Sequence, residues 1–219
     1  MNKHFLLSIL SIGLLFCGCN KNGDDNQSIS QSQNFKPSVA IAPVIDNSES
    51  GLNWDLSDEI TYSISSKLIQ KKKFNIADPQ KTKVQIKKNK VHSNPFDTDL
   101  AWVKKTFPGE DFVVFMEMIE HREQVRNADS SKAPETLSAD LNLALRLRIV
   151  DARKEQPFVI LQEIIQDTHF IPRQFTKYNF QQSPWNSEEF SISPIGIAHS
   201  LLIKELTARI EDYIILSKS

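Results

Sequence analysis

The sequence predicts an α/β chain of the α+β kind: a two-layer sandwich whose mixed sheet ends in a C-terminal antiparallel meander and carries two main helices on one face. Three observations predict it. Leu141, Leu143, Leu145, Leu147 and Ile149 recur at every second residue, with Asn142, Ala144, Arg146 and Arg148 between them, the period of a strand with one buried face. A polar turn at Asp151–Pro157 then leads into an apolar return over Phe158–Asp167, which makes a hairpin. Two stripes of helical period, Leu56-Ile60-Ile64-Leu68 and Ile195 through Ile214, supply the layer that must cover the leucine face.

The chain has 219 residues, 40% of them hydrophobic, enough for one domain with a single core. Met1–Phe16 reads as an export signal: Lys3 and His4 form a basic start, and Phe5–Phe16 is apolar but too short for a mature span, which needs about 20 residues. Its end, Phe16-Cys17-Gly18-Cys19, resembles the lipobox of bacterial lipoproteins. That resemblance implies a signal peptide over residues 1–18 and lipidation of Cys19 with palmitate-type acyl chains, several of which anchor where one does not. The chain has two cysteines and none after Cys19, so a disulfide in the mature domain is excluded. Cleavage before Cys19 removes one basic residue, Lys3, leaving 25 basic against 27 acidic residues, a balance that selects no partner by global charge.

Residues 19–36 carry the candidate lipid and a tether of Asn, Gln, Ser, Asp and Gly that cannot bury apolar surface. The folded domain is expected over 37–219. Val39–Ile45 is a β-branched strand, and Pro43 within it suggests an edge or a bulge. A helix is expected from about Asp55 to Lys72, with Asp55, Asp58 and Glu59 at its start and Lys71–Lys73 at its end, both suited to the helix dipole. Phe74–Ala77 is a short strand. Thr98–Thr106 reads as a short helix capped by Asp97 or Thr98. Asp111–Val125 is a strand whose apolar face (Phe112, Val114, Met116, Met118) gives way to a polar end at Glu120, His121 and Arg122. Ser193-Pro194 opens the last helix, Ser as cap and Pro as first residue. The second face of the sheet, with Asn142, Arg146 and Arg148, is expected to meet water.

Two stretches stand out as surfaces. Lys67–Lys90 holds nine lysines and one acid, Asp78. It is either a solvated helix end and loop or a contact for anionic headgroups through Lys71, Lys72, Lys73, Lys87 and Lys88. Phe170–Phe190 carries six aromatics. Its rings either cover the sheet or form a docking surface, with Phe175, Tyr178, Phe180 and Trp185 as candidate contacts.

No motif for catalysis is legible. The six glycines make no phosphate loop or dinucleotide fingerprint, and there is no G-x-S-x-G elbow. His92, His121, His169 and His199 are scattered, without metal-ligand spacing. The lysine cluster lacks the interleaved aromatics of nucleic-acid readers. The sequence therefore identifies no cofactor, metal or small-molecule substrate, and no nucleic-acid partner is expected.

Val39–Asp46, Phe74–Asp78, Asp111–Val114 and Leu147–Arg153, with a closing helix over Ile195–Ile215, resemble a family of envelope lipoprotein domains. That family includes the penicillin-binding-protein activator of the B type, the curli secretion lipoprotein and the N-terminal domain of the Tol propeller protein. The low-glycine, lysine- and asparagine-rich usage is similar to that of uncharacterised chlamydial-type lipoproteins. The resemblance implies the two-layer fold and a non-enzymatic adaptor or regulator that binds another envelope protein. Asn20, where Asp would retain the chain in the inner membrane, points to the outer membrane, facing the periplasm. The alternative is a component of lipid or lipopolysaccharide handling that binds headgroups through Lys67–Lys90.

Overall fold

The computed structural model describes residues 36–48, 50–88, 94–126, 138–175 and 184–217. Its contacts set Met1–Phe35 apart from Lys36–Ser219, and the account below concerns the second unit. The signal peptide, Cys19 and nearly all of the tether therefore lie outside the described residues, as do Tyr178 and Phe180.

The fold is a six-stranded mixed sheet in the order β3-β1-β4-β5-β6, with β2 also on β4. β1 (Ser38–Ile41) lies parallel to both β3 (Asn75–Ile76) and β4 (Phe112–Val125). β4, β5 (Ala139–Asp151) and β6 (Phe158–Ile171) form the expected antiparallel meander. Pro43 marks an irregularity of the bulge kind that it suggests: Ile41 pairs with Val114 but Ile45 with Glu117, so this side carries one extra residue across the proline. Beyond the break β2 (Ile45–Asp46) resumes the parallel pairing with β4. Proline donates no ladder bond, and the gap is closed from outside the sheet: the Val44 amide donates to Thr61 Oγ1 at 3.0 Å.

Helix α1 (Leu56–Lys71) starts on Asp55, whose side chain accepts from the Asp58 amide, and stops at Lys72 in the left-handed conformation, φ 57°. Helix α5 (Pro194–Leu216) starts on Ser193, whose hydroxyl accepts from the Gly196 amide, with Pro194 in the first turn. Both bury their stripes on the leucine face, where Leu56, Ile60, Ile64 and Leu68 meet Leu141–Leu147, Leu206 and Ile210. This is the two-layer core expected from the alternation.

The second face is not simply wet. A smaller cluster, including Ala40, Val113, Val150, Val103 and Phe107, covers one end of it. Helix α3 (Ala101–Thr106) supplies Val103, while α2 (Pro79–Lys88) contributes Ile86 at its margin. Asp99, rather than Asp97 or Thr98, accepts from the Ala101 amide at 3.0 Å. Arg148, expected in water, is buried at 6% exposure. Its Nη atoms donate to the carbonyls of Pro95, Phe96 and Asp97 at 2.6–2.8 Å, and its Nε to Gln162. It pins that segment to the sheet.

Candidate docking groove and buried histidine chain

Between α1, α2 and the turn before α4 (Glu188–Ile192) lies a groove of about 440 Å³, lined among others by Pro43, Tyr62, Pro79, Lys83, Trp185 and Asn186. Each side chain has a local cause. The strand break brings Pro43 to its lining. Tyr62 points away from the α1 stripe and is 59% exposed. Trp185 packs partly on the core and meets Tyr62 edge-on, with centroids 6.1 Å apart. Lys83 crosses from α2 to Asp58 of α1 at 2.8 Å, and that carboxylate holds the ammonium protonated above its ordinary range. The result is a shallow slot with prolines and aromatic rings on its walls. Such rings combine large apolar area with a polar rim, as interface cores do.

Of the four aromatic residues singled out in the sequence, Phe175 and Trp185 are described. Both are partly buried against the main core, but only Trp185 lines the groove. Phe170 belongs to β6, which runs past Asp167 to Ile171, and Phe190 is a core residue at 3% exposure. Gly196 allows α4 to fold back onto α5: a Cβ there would stand 1.9 Å from the Phe190 carbonyl oxygen.

The lysines are divided. Lys71 and Lys73 both bond the carboxylate of Glu211 on α5, whose side chain is only 9% exposed. Burial pushes the Glu211 carboxyl up, but the two ammonium groups overcome it and hold it below the usual range. Lys72 caps α1. Lys87 and Lys88 end α2 and are exposed.

Behind Trp185 a smaller hollow of about 210 Å³ reaches Glu59 and His199. These belong to a buried polar chain that the sequence reading missed. Trp54 Nε1 donates to Glu59 Oε2 at 2.8 Å, His199 Nδ1 lies 2.7 Å from Glu59 Oε1, and His199 Nε2 faces His121 Nε2 at 2.8 Å. Glu59, His199 and His121 are 2%, 3% and 4% exposed. With both rings neutral, the donors run one way: His121 into His199, His199 into Glu59. Burial, reinforced by the neighbouring His199, lowers the His121 pKa to about 4, against weaker opposing effects from its own backbone and Asp46. Phe190 packs edge-on against both Trp54 and His199.

A bulge brings His121 inside. The β4–β5 register slips between Met118 and Glu120, so Ile119 is the extra residue. His121 then pairs with Leu143 and shares its buried face, instead of ending a polar stretch. The adjacent apolar pair Met118-Ile119, which breaks the alternation, was the available signal. His169 lies on β6 beside Asp167, 3.1 Å away, and His92 lies outside the described residues. Among the described residues, no three His, Cys, Asp or Glu side chains are grouped to hold a metal, and no helix is long and apolar enough to cross a membrane.

A model of a family of unknown function, DUF7499, matches residues 25–218. The chain belongs to DUF7499. No curated protein matches it. Among solved structures, this DUF7499 chain is similar to the hypothetical protein CT253 of Chlamydia trachomatis, at 22% identity and TM-score 0.64 over 82% of this chain and 98% of that one. That likeness establishes the fold. Lipoprotein GNA1162 of Neisseria meningitidis is more weakly similar, at 11% identity and TM-score 0.44 over 80% of this chain and 99% of that one. The C-terminal domain of LpoB from Salmonella enterica is similar at 14% identity and TM-score 0.36, over 63% and 87%.

Proposed function

We propose that the protein is a membrane-anchored bacterial lipoprotein and a non-enzymatic adaptor, lipidated at Cys19, that binds another envelope protein through the Tyr62–Trp185 groove. The groove carries the reading. It sets a well-exposed tyrosine against a tryptophan in a slot that Pro43 and Pro79 also line, and rings placed this way gain most when a partner removes them from water. Phe16-Cys17-Gly18-Cys19 supports the anchor, and Asn20 favours the outer membrane facing the periplasm. The non-enzymatic part draws on the buried histidines, whose Nε2 atoms are spent on each other while His199 Nδ1 is held by Glu59. Headgroup binding is the weaker reading, since Lys71 and Lys73 are already held by Glu211.

The test has two arms. Intact mass of the membrane-extracted chain, beside Cys19→Ser, should show the diacylglyceryl-plus-acyl increment on Cys19 in the parent only. A photo-crosslinker at Tyr62 should then capture one envelope protein, and Trp185→Ala should abolish that capture while leaving the circular dichroism unchanged. An unmodified soluble chain overturns the anchor. Capture indifferent to Trp185→Ala overturns the groove.

A further inference from the structure

Among the described residues, the sheet ends in an unpaired edge. β6 is the outermost strand, paired with β5 on one side and with no described residue on the other. Its register is unbroken from Leu161 to Ile171, the one irregularity lying between the pairs at Leu161 and Val159. Edge strands are usually blunted by lysine, proline or short length. This one runs 14 residues and contains no lysine, arginine or proline. It also exposes apolar side chains: Ile164 at 52% and Phe170 at 50%.

The pattern along the edge is symmetric. On the open face, Gln162 and Gln166 flank Ile164 at equal spacing, and Val159 and Phe170 close the two ends. A contact between two copies about a two-fold axis must be complementary to itself, and this arrangement is. With the axis through Ile164, Ile164 meets its own copy and Gln162 meets Gln166. On the helix face, Glu163 meets Ile165 and Leu161 meets Asp167, so no like charges stand directly opposite. Glu163 is held within its own copy by Arg209, 3.5 Å away.

The layer above lies over the same stretch. A hollow of about 670 Å³ runs between β6 at Glu163–Asp167 and α5 at Leu201–Arg209. Leu201 is 47% exposed beside it. An axis through Ile164 would bring the two hollows, and the two α5 helices, face to face. Interface would then be added beyond the strand ladder, as a stable contact requires.

We propose that the protein forms a two-fold symmetric dimer by antiparallel pairing of the β6 edges, with the axis at Ile164. The two sheets then become one continuous sheet.

Cysteine trapping in the full chain, extracted in detergent, reads both the contact and its register. Directly opposed residues bring Cα atoms within about 4.5–5.5 Å, inside the disulfide window. Ile164→Cys should give a covalent dimer under mild oxidation, beyond any formed by the parent chain. Gln162→Cys and Gln166→Cys should crosslink when mixed, and much less when oxidised separately. Ile164→Lys should weaken self-association about tenfold or more by sedimentation, with an unchanged circular dichroism spectrum because the side chain is exposed in the single copy. A parent that sediments as a monomer at all concentrations overturns the proposal. So does an Ile164→Cys chain that resists crosslinking, or a dimer indifferent to Ile164→Lys.

Discussion

The Nε2 atoms of His121 and His199 meet at 2.8 Å across 78 residues of sequence, and Glu59 holds the far side of His199 at 2.7 Å. The contact joins β4 to α5, and the carboxylate adds α1. Three elements of the core are thus tied by one polar chain, with Trp54 closing its end. Buried polar groups cost little when each finds its partner and a good deal when one is removed.

Acid should loosen this chain before it affects the rest of the core. His121 has a pKa near 4 in the fold against about 6.5 in an unfolded chain. Between those values the unfolded state binds more protons, so stability rises with pH across that window and is fully present above about 6.5. Integrated, the effect is on the order of 3 kcal/mol. Urea unfolding at pH 4.5 and pH 7.5 should show most of that loss at the lower value, and His121→Gln should flatten the difference. Equal slopes in the two proteins would mean that the ring is not held neutral.

Removing the carboxylate should cost more than its volume suggests. Glu59→Ala leaves the Trp54 indole and His199 Nδ1 without their acceptor inside the core, a penalty of about 2–4 kcal/mol. Glu59→Gln keeps one acceptor oxygen and should lose less. Chemical denaturation of the two variants side by side orders them.

Gly196→Ala should be severe for so small a change. The added methyl would overlap the Phe190 carbonyl, so α4 must move away from α5. Overpacking of this kind costs about 1–3 kcal/mol. Because Phe190 packs on both Trp54 and His199, tryptophan fluorescence should shift as well. A variant with an unchanged midpoint and unchanged emission would contradict the close crossing.

Arg148→Met tests the cover on the second face. The aliphatic stem is retained, but the carbonyls of Pro95, Phe96 and Asp97 lose their donor. Arginine here is a clamp of fixed fork geometry, and a loss of about 2–4 kcal/mol follows from stranding its acceptors. Hydrogen exchange should quicken first over Ala101–Thr106, before β4 and β5.

Much of this architecture could be read along the chain because its signals are local. The leucine alternation of β5, the spacing of Leu56 to Leu68 and the Ser193-Pro194 start each act within a few residues, and each appears where expected. The site was less legible for a physical reason. Glu59, His121 and His199 lie far apart in sequence and have no periodic signature, and a one-residue bulge turned His121 inward. Arg148 looked like a wet position because its alternation matched a one-sided sheet, while the segment that covers it came from Pro95–Asp97 with no helical pattern to announce it. Of the described aromatics in 170–190, Phe170 joined the edge strand, Phe190 entered the core, and Phe175 and Trp185 pack partly against it.

The lysine-rich segment gives the sharpest separation of a structural role from a surface one. Lys71 and Lys73 converge on Glu211, which is largely buried, whereas Lys87 and Lys88 close α2 in solvent. The Glu211 carboxyl is held below its ordinary range, so its contribution is present above the unfolded value and is lost as pH falls through the folded one. Replacing Lys71 and Lys73 together by Gln leaves that carboxylate without a cation and should lower the thermal midpoint by several degrees, the shift of about 1–2 kcal/mol in a domain of this size. Replacing Lys87 and Lys88 should leave the midpoint within error, as exposed substitutions do. Flotation with anionic vesicles at low and high salt completes the comparison. If the second pair controls salt-sensitive lipid binding and the first controls only stability, the segment has two separate tasks. If neither pair changes flotation, its charge serves the fold and solubility, and headgroup binding drops out.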